Sequence, residues 1–152
     1  MKIELILNGR PERLDIDPAQ SLLSALRAAG IHSVRSGCDT ANCGICTVWV
    51  DEAPVLSCSY PAARAAGRRV TTVEGVGAEA EELMQALAEE GADQCGFCSP
   101  GFIMCALAML RELPDPSDEE IKAYLAGNLC RCTGYMSQQR AIRRVYEKRA
   151  GK

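Results

Sequence analysis

Histidine is almost absent: there is one in 152 residues, alongside one tryptophan and an aromatic share of only 5%. His32 follows the helix-stopping Gly30 and reads as a surface turn residue, because cysteines supply a full donor set nearby. Long apolar runs are missing too. The richest, GFIMCALAML, is about half of the ~20 residues that span a bilayer, so no membrane segment is expected. The first residues, MKIELILNGRPERLDI, alternate apolar with charged side chains and lack the three regions of a secretory signal. A cytoplasmic chain is therefore expected, and in that reducing compartment structural disulfides are rare. There is no glycine-rich dinucleotide fingerprint and no residue set that would activate a substrate. The net charge of −3 is mild. The last helix carries Arg140, Arg143, Arg144, Lys148 and Arg149, but without interleaved aromatics or a readout motif it is a solvated or subunit-facing surface, and no nucleic-acid partner is expected.

Cysteine is what the chain has in excess, with nine. In a reducing compartment these read first as metal ligands. Cys38, Cys43, Cys46 and Cys58 follow the C-x4-C-x2-C…C spacing of a plant-type [2Fe-2S] centre. Three thiolates from one tight loop can hold a cluster edge while the fourth reaches in from a neighbouring strand. Inward N–H groups require turns that Gly37 and Gly44 can take without a Cβ penalty. Zinc is the alternative, although a structural zinc site usually pairs two short knuckles and Cys58 stands alone. The second set, Cys95, Cys98, Cys130 and Cys132, is less specific and by itself leaves zinc open. Each of its pairs lies at a helix end, Cys98 before a cap at Ser99 and Cys130 after a stop at Gly127, so two antiparallel helices would bring them together. Cys105, two turns beyond Cys98, reads as a small hydrophobe. Trp49 and Tyr60 read as packing rather than as an electron path.

The pattern around these residues divides the chain. Ile3, Leu5 and Leu7 alternate, Asn8-Gly9 is a hairpin turn, and Leu14 and Ile16 lie on the return strand. SLLSALRAAG predicts a helix capped by Ser21. TVWV and PVLSC flank a turn at Asp51 to Ala53, and the β-branched run RRVTTVEGV predicts a last strand. From about residue 77 the pattern is helical, with a helix opened by Ser99-Pro100, one opened by a Ser117/Glu120 capping box and ending near Gly127, and one from about Ser137 to Arg149. The fold class is α+β: a β-rich half over 1–76 with one helix packed on a mixed sheet, then an all-α, four-helix half over 77–152.

CDTANCGIC…C followed by QCGFCSPGFIM and AGNLCRCTGY resembles the iron-sulfur subunit of the xanthine dehydrogenase family of molybdenum hydroxylases, over nearly the whole chain. The resemblance implies a ferredoxin-like β-grasp domain with one [2Fe-2S] cluster on Cys38, Cys43, Cys46 and Cys58. A helical domain would hold a second on Cys95, Cys98, Cys130 and Cys132. It also implies a large molybdopterin-binding subunit, with Gln94 hydrogen-bonded to the pterin and Cys132 nearest its amino group, and an FAD-binding medium subunit. The chain would then relay electrons from molybdenum to flavin, the substrate being a purine or other N-heteroaromatic compound. Rival readings are a carbon monoxide or aldehyde oxidising relative, a free-standing ferredoxin, and a zinc-stabilised binding module. Five positions depart from the family pattern: Asp39, Ala41 and Asn42, where glycines are usual, Gln138 and Ser99. Asn42 stands in a glycine-poor first loop and is expected to supply its left-handed turn, Gln138 replaces an apolar residue, and Ser99 replaces a more usual threonine while keeping the cap.

Overall fold

The computed structural model describes residues 1–151. The N-terminal strands β1 (Lys2–Leu7) and β2 (Arg10–Asp15) form the expected hairpin, with Leu7 opposite Arg10 across an Asn8-Gly9 turn whose two residues both have positive φ. Such a turn matches the natural twist of the two strands. Alternation then decides what is buried: Ile3, Leu5 and Leu7 face inward while Lys2, Glu4 and Ile6 face out. Helix α1 (Leu22–Ala28) is capped by the Ser21 hydroxyl, which accepts from the Ser24 N–H. It buries Leu22 and Leu26 completely against the sheet.

Strands β3 (Thr47–Val50) and β4 (Ala53–Leu56) form a second hairpin, and β5 (Arg69–Thr71) lies between β1 and β3. The strand order is β2-β1-β5-β3-β4, parallel at β1–β5 and antiparallel elsewhere. This is the mixed sheet with one helix across it that the patterning implied. One detail differs. The β-branched run after Thr71 does not continue as strand, because Thr72 turns the chain: its N–H is taken by the Asn8 side chain, and the first turn of the next helix begins at Val73.

The rest is helical: α2 (Val73–Glu89), α3 (Ser99–Glu112), α4 (Asp118–Leu125) and α5 (Met136–Arg149). Helix α2 is broken at Gly77, whose φ of 42° and ψ of −122° separate an opening turn from the main helix. Leu83, Met104, Leu107, Met109, Ile121, Ile142 and Val145 fill the helical core. Each such burial is worth roughly 1.5–3 kcal/mol. The capping box of α4 is present in full, with Ser117 accepting from the Glu120 N–H and the Glu120 carboxylate accepting from the Ser117 N–H. Ser99, by contrast, is not a cap. The α3 turn extends back so that the Phe102 N–H reaches the Cys98 carbonyl, Cys98 takes the cap position, and the Ser99 hydroxyl donates to Asp93.

The basic residues of α5 are paired. Arg140 and Arg144 meet Glu90, Arg144 also meets Glu89, and Lys148 and Arg149 meet Glu82, all next to or on α2, while Arg143 meets Asp118 of α4. The stripe thus fastens helix to helix.

Trp49 belongs to both halves. It lies on β3 yet packs in the helical core, donates its indole N–H to the Met104 carbonyl at 2.8 Å, and has the Arg111 guanidinium 4.0 Å above its ring.

Candidate metal centres

The first thiol loop, residues 38–46, is too tight for every turn to be right-handed. Gly44 has φ +70°, as expected. The other left-handed residue is Ala41, φ 55°, and not Asn42. Alanine pays a Cβ penalty there that asparagine would relieve, so side-chain preference does not locate the turn; the positions of the flanking thiols do. Gly37 is needed for space rather than for its dihedrals: a Cβ there would lie 2.4 Å from the Ile45 side chain and 3.2 Å from Cys43 Sγ.

Within this loop the Cys38 thiol lies beside that of Cys43, and the Cys46 thiol beside that of Cys58. Cys58 is held there because Ser57 donates both its hydroxyl (2.7 Å) and its N–H to the Cys46 carbonyl. Backbone N–H groups do face the sulfurs. Those of Asn42 and Thr40 at Cys38 lower its pKa from 9.0 to about 6. Burial, then the neighbouring Cys46, pushes Cys58 up to about 11. Burial also raises Cys43 against an opposing N–H from Ile45.

The second set assembles across the α3 entrance and the segment after α4. Cys95 and Cys132 have their sulfurs 3.4 Å apart, and Cys98 lies beside Cys130. The Phe97 N–H at Cys95 Sγ, followed by the Cys132 thiol, lowers the Cys95 pKa. At Cys130 burial works upward but is outweighed by the Thr133 hydroxyl, 3.2 Å from the sulfur, and by the N–H groups of Thr133 and Cys132. Burial, then Cys130, pushes Cys98 up to about 12, and the contact with Cys95 raises Cys132. The donors here come from the loops themselves rather than from a helix N-terminus.

The two sets differ in exposure. Cys43 and Cys46 are buried, whereas Gln94, Cys95 and Cys132 lie open at the surface. Phe97, Leu129, Tyr135 and Met136, all within four positions of one of these thiols in the chain, are exposed as well. Cys105 takes part in neither set: burial raises its thiol to about 11, which keeps it neutral. His32 is exposed in its turn, next to Arg27 and Arg35.

The loops also touch each other. The Leu129 N–H donates to the Cys43 carbonyl at 2.8 Å, and the Asn128 amide donates to Gly44 O at 3.3 Å. A Cβ on Gly101, in the first turn of α3, would sit 2.4 Å from Ile45 O and 2.5 Å from Gly44 O. Asn128, Gly101, Thr133 and Arg35 were not singled out from sequence. Only Gly101, a poor helix former inside a helix, carried a visible signal.

A single tetrahedral ion requires four donors around one centre. Among the described residues no three His, Cys, Asp or Glu side chains converge in that way. The eight thiols come instead as four pairs. Two pairs per site suit a two-iron rhomb, which takes two sulfurs at each iron, and inward N–H groups offset its negative charge. The donor set therefore fits two [2Fe-2S] clusters.

Comparison with known proteins agrees. Residues 5–72 match the 2Fe-2S iron-sulfur cluster binding domain, and residues 72–143 match the [2Fe-2S] binding domain. The small FeS subunit of nicotinate dehydrogenase from Eubacterium barkeri is 42% identical over 96% of this chain and 95% of its own. The iron-sulfur-binding subunit of xanthine dehydrogenase from Escherichia coli O157:H7 is 48% identical over 88% of this chain and 86% of its own. Among solved structures, quinoline 2-oxidoreductase from Pseudomonas putida 86 superposes with a TM-score of 0.90 at 38% identity, covering 99% of this chain and 97% of that one. The chain therefore belongs to the iron-sulfur small subunits of the xanthine dehydrogenase family of molybdenum hydroxylases, with an electron-transfer role in an oxidoreductase.

Proposed function

We propose that this chain is the two-cluster relay of a molybdenum hydroxylase, with Cys38, Cys43, Cys46 and Cys58 holding one [2Fe-2S] cluster in a domain spanning 1–76. Cys95, Cys98, Cys130 and Cys132 hold the other in a domain spanning 77–152. The observation that carries this is the arrangement of eight thiols as four pairs on two loops that hydrogen-bond to each other. A [2Fe-2S] cluster takes up and releases one electron at a time, which lets a two-electron oxidation at one site be passed on in single steps.

The chain's own residues give the relay a direction. In the first set Cys43 and Cys46 are buried, while at the second Gln94 and Cys132 are exposed, with exposed Phe97, Leu129, Tyr135 and Met136 close by in the chain. That open side suits docking of a large molybdopterin-binding subunit, with the Gln94 amide able to hydrogen-bond a pterin and Cys132 next to it. The Cys38 loop then serves an FAD-binding medium subunit or another acceptor. Substrate activation belongs to those partners, in keeping with the electron-transfer role of the small FeS subunits to which this chain is similar. The three relatives described above are named for nicotinate, xanthine and quinoline, each N-heteroaromatic, which supports a substrate of that class; aldehyde oxidoreductases are similar to the chain as well, and an aldehyde is the alternative. Among the described residues no helix is long and apolar enough to cross a membrane, and the thiol-rich loops suit a reducing cytoplasm.

The test is to purify the native complex, identify its chains, and add candidate heteroaromatic substrates anaerobically. Bleaching of the visible iron-sulfur absorption by an N-heteroaromatic substrate, with a molybdopterin-binding chain present, is the expected result. A colourless protein, or bleaching only by an aldehyde or carbon monoxide, would overturn the reading or its substrate class respectively.

A further inference from the structure

Arg35 joins the two thiol loops. It lies three residues before Cys38, yet its Nη1 donates to the Gly96 carbonyl, 2.5 Å away and 61 residues further along the chain. Its guanidinium also lies 5.4 Å from the centroid of the Phe97 ring. The Gly96 carbonyl and the Phe97 N–H are the two ends of one peptide group, which is trans and planar, so they point in opposite directions. The far end of that group, the Phe97 N–H, donates to Cys95 Sγ. A cation therefore holds one end of a peptide whose other end is on a thiol of the second set. Hydrogen bonds in series polarise one another, by about 10–30% per bond. Nearby Arg27 is turned to the Val34 carbonyl at 2.9 Å, although it shares a cavity of about 330 Å³ with Arg35, His32 and Phe97.

We propose that Arg35 is a positioning residue which, from the first domain, sets the reduction potential of the second cluster by polarising the Gly96–Phe97 peptide against Cys95. The inference rests on Cys95 being a ligand of that cluster. Reduction adds a negative charge, which a stronger N–H donor at the sulfur favours, so Arg35 raises the potential. Arginine suits the place because its planar fork can grip a carbonyl while its face stacks on a ring.

The test is a redox titration of the iron-loaded protein followed by electron paramagnetic resonance, in which the two clusters give separate signals, on wild type, Arg35→Gln and Arg35→Lys. In Arg35→Gln the second cluster is reduced about tenfold less favourably, a fall of ~59 mV for one electron, while the first cluster moves clearly less. Arg35→Lys, which keeps a charged donor without the fork, falls in between and is likewise selective for the second cluster. An unchanged second cluster, or equal falls in both, would overturn the proposal. If the glutamine variant does not take up iron, the lysine variant decides by the same criterion. A wild-type protein with only one cluster signal would instead refute the two-cluster reading itself.

Discussion

Cys38 and Cys98 carry the same thiol and differ in what surrounds it. Two backbone N–H groups bring Cys38 down to about 6, while burial pushes Cys98 up to about 12. The thiolate is the reactive form. In the iron-stripped chain at pH 7, iodoacetamide should therefore label Cys38 first and Cys98 and Cys105 last. The Cys38 rate should climb as pH rises towards 6 and level off above it, because its thiol is already ionised there. Site-resolved mass spectrometry of timed samples checks this; uniform labelling would contradict it. Spacing singled out Cys38, Cys43, Cys46 and Cys58, because C-x4-C-x2-C is a constraint along the chain, whereas Cys95, Cys98, Cys130 and Cys132 needed the helix ends and the resemblance beside their spacing, and Cys105 was left aside as a residue inside a helix. The roles of Arg35, Asn128 and Gly101 were hidden because each acts on a residue more than fifty positions away. Gly101 gives the sharpest steric test. A methyl group there meets two backbone carbonyls that cannot rotate aside, and overpacking of this kind costs about 1–3 kcal/mol. Gly101→Ala should lower the melting temperature and loosen both thiol loops, whereas the same change at the open Gly127 should be far milder.

Elements were legible where a local rule has a single solution. Asn8-Gly9 gave the first hairpin, and Ser117 with Glu120 gave the start of α4. The second hairpin was expected too, and it turns on Asp51 and Glu52, both with positive φ, a conformation that suits aspartate but that glutamate does not advertise. Strand β5 ended early because Asn8, 64 residues upstream, takes the Thr72 N–H. The start of α3 shifted by one residue because the Phe102 N–H bonds the Cys98 carbonyl and Asp93, six residues before Ser99, takes the hydroxyl that would have capped the helix. The α4 cap predicts that Ser117→Ala costs about 1 kcal/mol, seen as a lower denaturation midpoint with both clusters retained. The Ser117 N–H and hydroxyl hold the Glu120 carboxyl below its ordinary value of 4.5. Its contribution is therefore complete above about pH 4.5 and fades as pH falls through the lowered folded value. Glu120→Gln and wild type should converge in stability on the acid side, and a gap that widens there would contradict the assignment.

At the scale of the molecule, two small cores are fastened by Trp49 and by the contact between the thiol loops. The α+β order, the strand count and the four-helix half followed from periodicity. The join did not, because a strand tryptophan packed into the other half looks locally like any buried aromatic. The join places the Cys43 carbonyl on the Leu129 N–H, one residue before Cys130, so the two sites are connected by a short chain of bonds. All of this has a redox purpose only if each thiol set holds two irons. The most direct measurement is metal analysis of the isolated chain together with its electron paramagnetic resonance after dithionite reduction, repeated on Cys98→Ser. The account predicts about four irons per chain and two distinct signals, of which Cys98→Ser loses one. Zinc in place of iron, or a single signal that Cys98→Ser leaves untouched, would contradict it.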